Sequence, residues 1–575
     1  MVKMGKSSLL SVVVALVLSL GVMAVPQEAV EAMQRTIHVP DDYQTIQQAV
    51  NNARAGDTII VRDGVYRENL NVTVANLTIR SENGTANCFL HSVDPNTHAL
   101  KVVADYVDVS GFTVENATGW HDNAGIYLSD VSHCNISDNK VPGNGFSGIY
   151  LDSSSNNVLM NNIVDHNHLG IYLRSSSNNQ LMNNRMENNS LGIHLRDSED
   201  NILTNNTVNE DQYDAIYLLG SSRNTLSNNI ANASQFGIRL FESSNNNSLT
   251  NNIVSSNYWG IYLGNSSNDN LAGNTMFGNT CDFEIGGGCL SHYIHNIDSN
   301  NRVDGKTVYY WVNQQKQQVP SDAGFVGIVN STNILVSNLT LTNSSYGVLF
   351  IHTTDSRIEN VTTVNNHWGI YMSYSSDNNI LTNNAASNNT YGIYVEFSSN
   401  NTLVNNRIDL NNQGIYLGSS GNNTLINNIA ESNNEYGVYM EYSNSNNITG
   451  NAVSQNNGDG IYLNFSSSNI LTDNAASNNL DGITLYSSND NMIRDNNVSS
   501  SDSFGILLYS SSNNTIKHNT AIASGQQGIY LYKSSNNFID NRENTYSNFT
   551  KVIGIVIGII FVGILVYFLR LRHTS

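Results

Sequence analysis

Gly148-Ile-Tyr-Leu-Asp-Ser-Ser-Ser-Asn-Asn-Val-Leu-Met-Asn-Asn-Ile-Val164 is the stretch on which the fold turns. Short apolar runs alternate with Ser and Asn pairs, so each run reads as a short strand and each Asn pair as a corner. The opening phrase recurs at Gly125, Gly170, Gly192, Ala215, Gly237 and Gly260, then again from Gly347 through Gly369, Gly392, Gly414, Gly437, Gly460, Gly482, Gly505 and Gly528. Its spacing within each series is always 22 or 23 residues. A fixed period in this range signifies a solenoid. Leucine-rich repeats share the length, but their LxxLxL pattern is absent, and the Asn, Ser and Gly between phrases leave no helical stretch. Asn tolerates the left-handed backbone of sharp corners and can stack coil on coil. Proline, which a parallel ladder excludes, occurs after Pro142 only at Pro320, inside the interruption. The reading is all-β: a single-stranded, right-handed parallel β-helix.

The ends and the composition set its context. Lys3 and Lys6, an apolar run from Leu9 to Met23 and small residues up to Ala24 have the layout of a secretory signal over residues 1–24. Val552 to Leu569 is an unbroken apolar run of 18 residues, roughly 27 Å as a helix and so just able to span a bilayer. Arg570 and Arg572 follow it, which predicts a cytoplasmic tail at 570–575 and an exported repeat region, a single-pass cell-surface protein. Between these ends lie coils with a cap at 36–270, an insertion at 271–330 and further coils at 331–541. The cap is a short amphipathic helix from Thr45 to about Ala53, followed by a Gly-Asp turn. No matching cap is legible after Gly528. A formal charge of −21 with 26 basic residues excludes nucleic acid as a partner. Asn-x-Ser/Thr sequons such as Asn71, Asn76, Asn116 and Asn548 could carry glycans; most Asn at corners are expected to be buried.

The interruption carries its own text: Leu290-Ser-His-Tyr-Ile-His-Asn-Ile-Asp-Ser-Asn-Asn-Arg-Val-Asp-Gly-Lys-Thr-Val-Tyr-Tyr-Trp-Val-Asn313, then Val319-Pro-Ser-Asp-Ala-Gly-Phe-Val-Gly-Ile-Val-Asn330. With the Asn-rich coils it resembles the NosD family of periplasmic copper-binding β-helix proteins, over Thr36 to about Asn541. Asp304-Gly-Lys-Thr-Val-Tyr-Tyr-Trp is the most specific part. The anchored, Asn-rich form also resembles surface proteins of methanogenic archaea, and the capped opening resembles that of pectate-lyase-like β-helices, a class that binds or cleaves carbohydrates. The resemblance implies a β-helix and makes copper possible without fixing its ligands; the residues themselves call for no cofactor.

Three sets of residues are candidates for chemistry. Cys281, Cys289, His292 and His295 combine thiol and imidazole ligands suited to copper or zinc, against a Cys281–Cys289 disulfide, which export favours. Cys88 and Cys134 are expected to be buried thiols. The third phrase position should face outward, stacking Tyr371, Tyr394, Tyr416, Tyr439 and Tyr462 into an aromatic column, for glycan binding or for mutual packing. In the earlier coils the same face is chemically mixed. Asp152, Arg174 and Arg196 should form one column with His194 beside it, suited to the carboxylates of an acidic polysaccharide or, failing that, to a surface ion pair. The leading reading is a non-enzymatic rod that binds a polysaccharide or a surface glycoprotein; a copper accessory protein and a polysaccharide lyase, hydrolase or epimerase are the alternatives. Paired-carboxylate and Gly-rich calcium motifs are not found in the sequence.

Overall fold

The computed structural model describes residues 34–119, 122–523, 525–541 and 543–544. The leader, the apolar run 552–569, the tail 570–575 and Asn548 lie outside these residues. Among the described residues no helix is long and apolar enough to cross a membrane.

Each 22- or 23-residue period makes one coil of three strands, such as Ser147–Asp152, Val158–Met160 and Ile163–Asp165, followed by Leu169–Arg174, Gln180–Met182 and Arg185–Glu187. Successive coils pair in parallel and in register, with Ile149 on Ile171, Leu159 on Leu181 and Val164 on Met186. Alternation sends these residues inward, where they are fully buried. Each contributes roughly 1.5–3 kcal/mol of apolar burial. The phrase glycine sits where backbones approach: a Cβ on Gly170 would lie 2.4 Å from the carbonyl oxygen of Gly192.

The corner Asn pairs divide two tasks. The first of each pair, as at Asn161, Asn183 and Asn205, takes φ near +56° (57, 55 and 56°) and turns the chain. The second is buried in a ladder along the axis. Asn162 donates from its backbone N and its Nδ2 to Asn184 Oδ1, both at 3.0 Å, and from Nδ2 to Ile136 O at 2.8 Å. Asn184 repeats this with Asn206. A buried amide without partners would cost about 1–3 kcal/mol, so satisfying each one from the coil above and below makes a polar interior tolerable.

The first coil is closed by the helix Ile46–Asn52, which lays Ile46, Ala49 and Val50 on the core. Thr45 caps it, and the Glu68 carboxylate accepts from the backbone N–H groups of Ile46 and Gln47 at 2.9 and 2.8 Å. Cys88 and Cys134 are free, buried thiols as expected, pushed up to about 12 and about 11 by burial.

The interruption is a joint between two solenoids. The phrase sheet of the first solenoid ends at Cys281–Gly286, whereas its third sheet continues. Arg302–Val303 turns back on Lys306–Val312 as an antiparallel hairpin, and that strand pairs in parallel with Ala323–Val329, which pairs with the first phrase strand of the second solenoid, Tyr346–Ile351. One sheet therefore carries third strands before the joint and phrase strands after it. Its two faces serve different cores: Phe325, Val329, Leu349 and Ile351 close the end of the first, while Val326, Ile328, Val348 and Phe350 begin the second. Phe283 meets Phe325 edge to face at 5.0 Å, and Tyr346 OH donates to Ile285 O. The two solenoids are thus offset sideways across a shared sheet, rather than forming one uninterrupted stack.

Candidate functional site

The outer face of the first phrase sheet gathers the mixed residues as the period predicts. Register places Asp152 against Arg174 and Arg174 against Arg196, and beside them Tyr150, Tyr172, His194, Tyr217 and Arg239 in the next row. Arg174 and Asp152 form a two-pronged pair, Nε to Oδ1 at 3.0 Å and Nη2 to Oδ2 at 2.6 Å. This is the surface ion pair of the plainer expectation, and it holds Arg174 protonated well above its usual range. Arg196 differs. Its side chain is 54% exposed, and its ion-pair partner is Asp197 at 3.7 Å.

The aromatic row lies close over the sheet, with centroids 4.8 Å apart for Tyr150–Tyr172, 5.0 Å for Tyr172–His194 and 4.9 Å for His194–Tyr217. Both ring nitrogens of His194 are shielded from water and have no hydrogen-bond partner. Burial first, and Arg196 second, push it down to about 4, so it is neutral at neutral pH.

One coil beyond Tyr217 the row reaches Arg239, the next outward position of the series and not one of the expected site residues. The Arg239 guanidinium lies 4.6–4.9 Å from the rings of Phe236, Phe241 and Tyr217 and 5.8 Å from Tyr262. Its acidic partner, Asp214, is buried, with Arg239 Nη1 to Oδ1 at 3.8 Å. Burial raises Asp214 to about 6 despite Arg239. Exposed Tyr213 and Tyr258 flank this cluster, at 46% and 50%. Alternation hid it: Asp214, Phe236 and Trp259 occupy the strand-opening position just before the phrase glycine or its Ala215 equivalent, which strict alternation would place inward with Ile216, Ile238 and Ile261.

The tyrosine column of the second solenoid is in register as expected, from Tyr371 to Tyr462. Tyr371, however, is buried in the joint against the first core. Beyond it the rings cover one another: Tyr371–Tyr394, Tyr394–Tyr416 and Tyr439–Tyr462 stack at 5.2, 4.5 and 5.3 Å with interplanar angles of 7, 18 and 21°. Tyr416 and Tyr439 meet edge to face at 5.4 Å, Tyr416 OH donates to Glu441 Oε2 at 3.1 Å and Tyr439 OH accepts from Asn464 Nδ2 at 3.2 Å.

The four residues of the interruption do not converge. Cys281 opens an extended strand that runs to Gly286, at least about 15 Å of chain at roughly 3.3 Å per residue, and Cys289 lies beyond it. Both are free thiols, Cys281 buried and Cys289 exposed. The expected Cys281–Cys289 bond is therefore corrected. His295 is buried with both nitrogens engaged, Nδ1 accepting from Asp269 N at 3.3 Å and Nε2 bonded to His292 O at 2.9 Å. His292 Nδ1 accepts from Gly288 N. Among the described residues no group of three or more His, Cys, Asp or Glu could hold a metal ion, so copper does not fit these four positions.

Comparison with known proteins agrees with this architecture. The family described as "Periplasmic copper-binding protein (NosD)" matches residues 50–257, 167–307 and 453–560, and "Right handed beta helix region" matches 324–474. No curated protein matches the chain. Among solved structures, an alginate lyase from Paenibacillus sp. is 17% identical, with 47% of this chain and 97% of that one covered and a TM-score of 0.34. The Dettilon tailspike protein is 14% identical over 57% and 68%, TM-score 0.38, and a PL6-family alginate lyase 11% identical over 88% and 97%, TM-score 0.33. Scores this low carry no argument about what the chain does. With 50–307 and 453–560, well over half its length, matched by one family model, the chain belongs to the NosD family of β-helix proteins.

Proposed function

We propose that the protein is an exported, membrane-anchored β-helix that binds an acidic polysaccharide, or the acidic glycans of a neighbouring surface glycoprotein, on the outer face of its first solenoid. The observation that carries this reading is Arg196: a cation more than half exposed, weakly held by one carboxylate, in a strongly acidic protein. Arginine's planar fork suits a uronate carboxylate or a sulfate. Arg239, in its aromatic cage, extends the positive character two coils along, and exposed Tyr213 and Tyr258 offer apolar surface beside it. The second solenoid's partly exposed tyrosine column would add contacts of a secondary kind. Location outside the cytoplasm is supported by the family's description as periplasmic and by the leader-like residues 1–24.

Arg196→Ala tests this reading. It should weaken binding of a uronate oligomer several-fold at low salt, with a smaller loss at high salt and an unchanged melting temperature. Unchanged affinity would sink the proposal. A second reading, a polysaccharide lyase, places the proton-abstracting base in this same row; His194 could serve only if the stacked Tyr172 and Tyr217 moved aside, since both its ring nitrogens are shielded. Incubation with a polyuronate and ultraviolet detection of unsaturated ends separates the two, since a pure binding protein generates none.

A further inference from the structure

The ends of the coil stacks are treated unequally. The first coil is covered by Ile46, Ala49 and Val50 of the capping helix, and the last coil of the first solenoid by Phe325, Val329, Leu349 and Ile351 across the joint. The final coil of the second solenoid has no such cover among the described residues. Ile539 continues the inward column of Ile516, which is fully buried, yet Ile539 is 41% exposed. Phe538 beside it is 57% exposed, and Leu531 of the same coil is half-buried where its equivalent Leu508 is fully buried.

The rim of this open end is amphipathic. Tyr530 stacks on Phe504 at 4.8 Å, Tyr532 packs against Tyr509 at 5.0 Å, and Lys533 Nζ lies 5.2 Å from the Tyr532 ring. Lys517 is in register with Asp540, so the end is near-neutral while the whole chain carries −21. Tyrosine rings with lysine around an apolar centre suit a bilayer interface, where the rings sit at headgroup level and lysine reaches to water. The sequence places such a surface close by. The last described strand ends at Asn544, and the apolar run begins at Val552, eight residues on. Eight extended residues reach at most about 28 Å.

We infer that the terminal coil docks on the lipid interface, with Phe538, Ile539 and the Tyr530–Tyr532 rim seated among the headgroups, so that the bilayer is the missing cap. This rests on the membrane-anchored reading given above. A second copy of the chain stacking end to end is the competing occupant, and an exposed strand edge would otherwise invite it.

The test uses the full-length chain carrying Cys289→Ser, with a nitroxide on Phe538→Cys or, as a control at the opposite end, on Asn83→Cys. Each protein is reconstituted into phosphatidylcholine vesicles, and the label's collisions with oxygen and with a water-soluble nickel chelate are compared. The expected result is co-flotation with the vesicles, with the label at 538 favouring oxygen at least several-fold over the control and independently of protein concentration. Co-flotation with both labels equally open to nickel would overturn the docking while keeping the anchor. A concentration-dependent protection at 538, with spin–spin broadening, would assign the end to a second copy and overturn it as well. Failure to float would remove the anchor and the inference together.

Discussion

The two solenoids share a phrase, a period and a corner design, yet differ in what they place at the corners. In the second, the third-corner ladder runs as amides from Asn366 through Asn389, Asn411, Asn433, Asn456 to Asn479. In the first, the equivalent ladder runs from Asn144 through Asn167 and Asn189 into Asp211. Further on, Asn279 meets Asp282, and another ladder passes from Asn247 to Asp269. Asp211 and Asp282 leave Oδ2 shielded without a hydrogen-bond partner, whereas Asp269 Oδ2 lies 3.4 Å from His295 Nδ1. The reason is local. Asn167 and Asn189 donate from Nδ2 to Val141 O and Val164 O, so an aspartate in the next coil turns an acceptor towards an acceptor unless it is protonated. The difference teaches that a ladder built for amides takes in an acid such as Asp211 or Asp282 only together with a proton, whereas the second solenoid keeps its buried acids, Asp459 and Asp481, beside the phrase glycine and out of this ladder.

The largest effect should come from breaking the contact between the two regions. Phe325→Ala removes a fully buried ring from the joint and should cost about 3–5 kcal/mol. Calorimetry should then resolve two transitions, because the first core loses its lid while the second keeps its coils; one sharp transition would mean that the joint does not couple them.

Exchanging the ladder chemistry should give a smaller, pH-dependent effect. Burial pushes Asp211 and Asp282 up to about 7. The folded state then binds more protons than the unfolded chain between about pH 4 and 7, so their contribution is fully present below the unfolded pKa and is lost as pH rises through 7. Asp211→Asn should therefore raise the melting temperature at pH 8 by an amount worth roughly 1–3 kcal/mol and change it little at pH 4. Asn411→Asp should impose the opposite on the second solenoid. Equal shifts at both pH values would contradict the proton account.

The smallest effect separates packing from binding on the outer faces. Replacing Tyr394, Tyr416 and Tyr439 together by Ser removes stacked rings and should lower stability by about 0.5–1.5 kcal/mol per lost ring pair, with uronate binding to the first solenoid retained. Loss of binding at unchanged stability would instead make that column the ligand site.

Much of this was legible in residues. Strict alternation around Gly148-Ile-Tyr-Leu set the inward and outward faces, and the spacing set the register that brings Asp152 to Arg174 and Arg174 to Arg196. The capping helix was legible from Thr45 onward. The joint was not, because periodicity lapses between Gly260 and Gly347 and nothing local states which sheet continues. A clue lay in Ala323–Val329 and Tyr346–Ile351, which are apolar at outward as well as inward positions, the mark of a sheet buried on both faces. Arg239 escaped notice as a site because its cage comes from residues in three coils. The cysteines misled because nearness in sequence says little when the chain between is an extended strand.

The in-register coil also has a mechanical meaning. Because each coil bonds only to its neighbours, tension entering through the C-terminus would reach Glu543–Asn544 and then Phe538–Asp540, and peel that coil before loading the next. Every detachment would release about 75 Å of chain, the reach of 22 extended residues. Peeling would proceed with a regular step through the second solenoid and halt at the joint, where the hairpin and the shared sheet replace the simple coil-on-coil contact. Such a molecule would lengthen stepwise under drag while its first solenoid stayed folded at the far end.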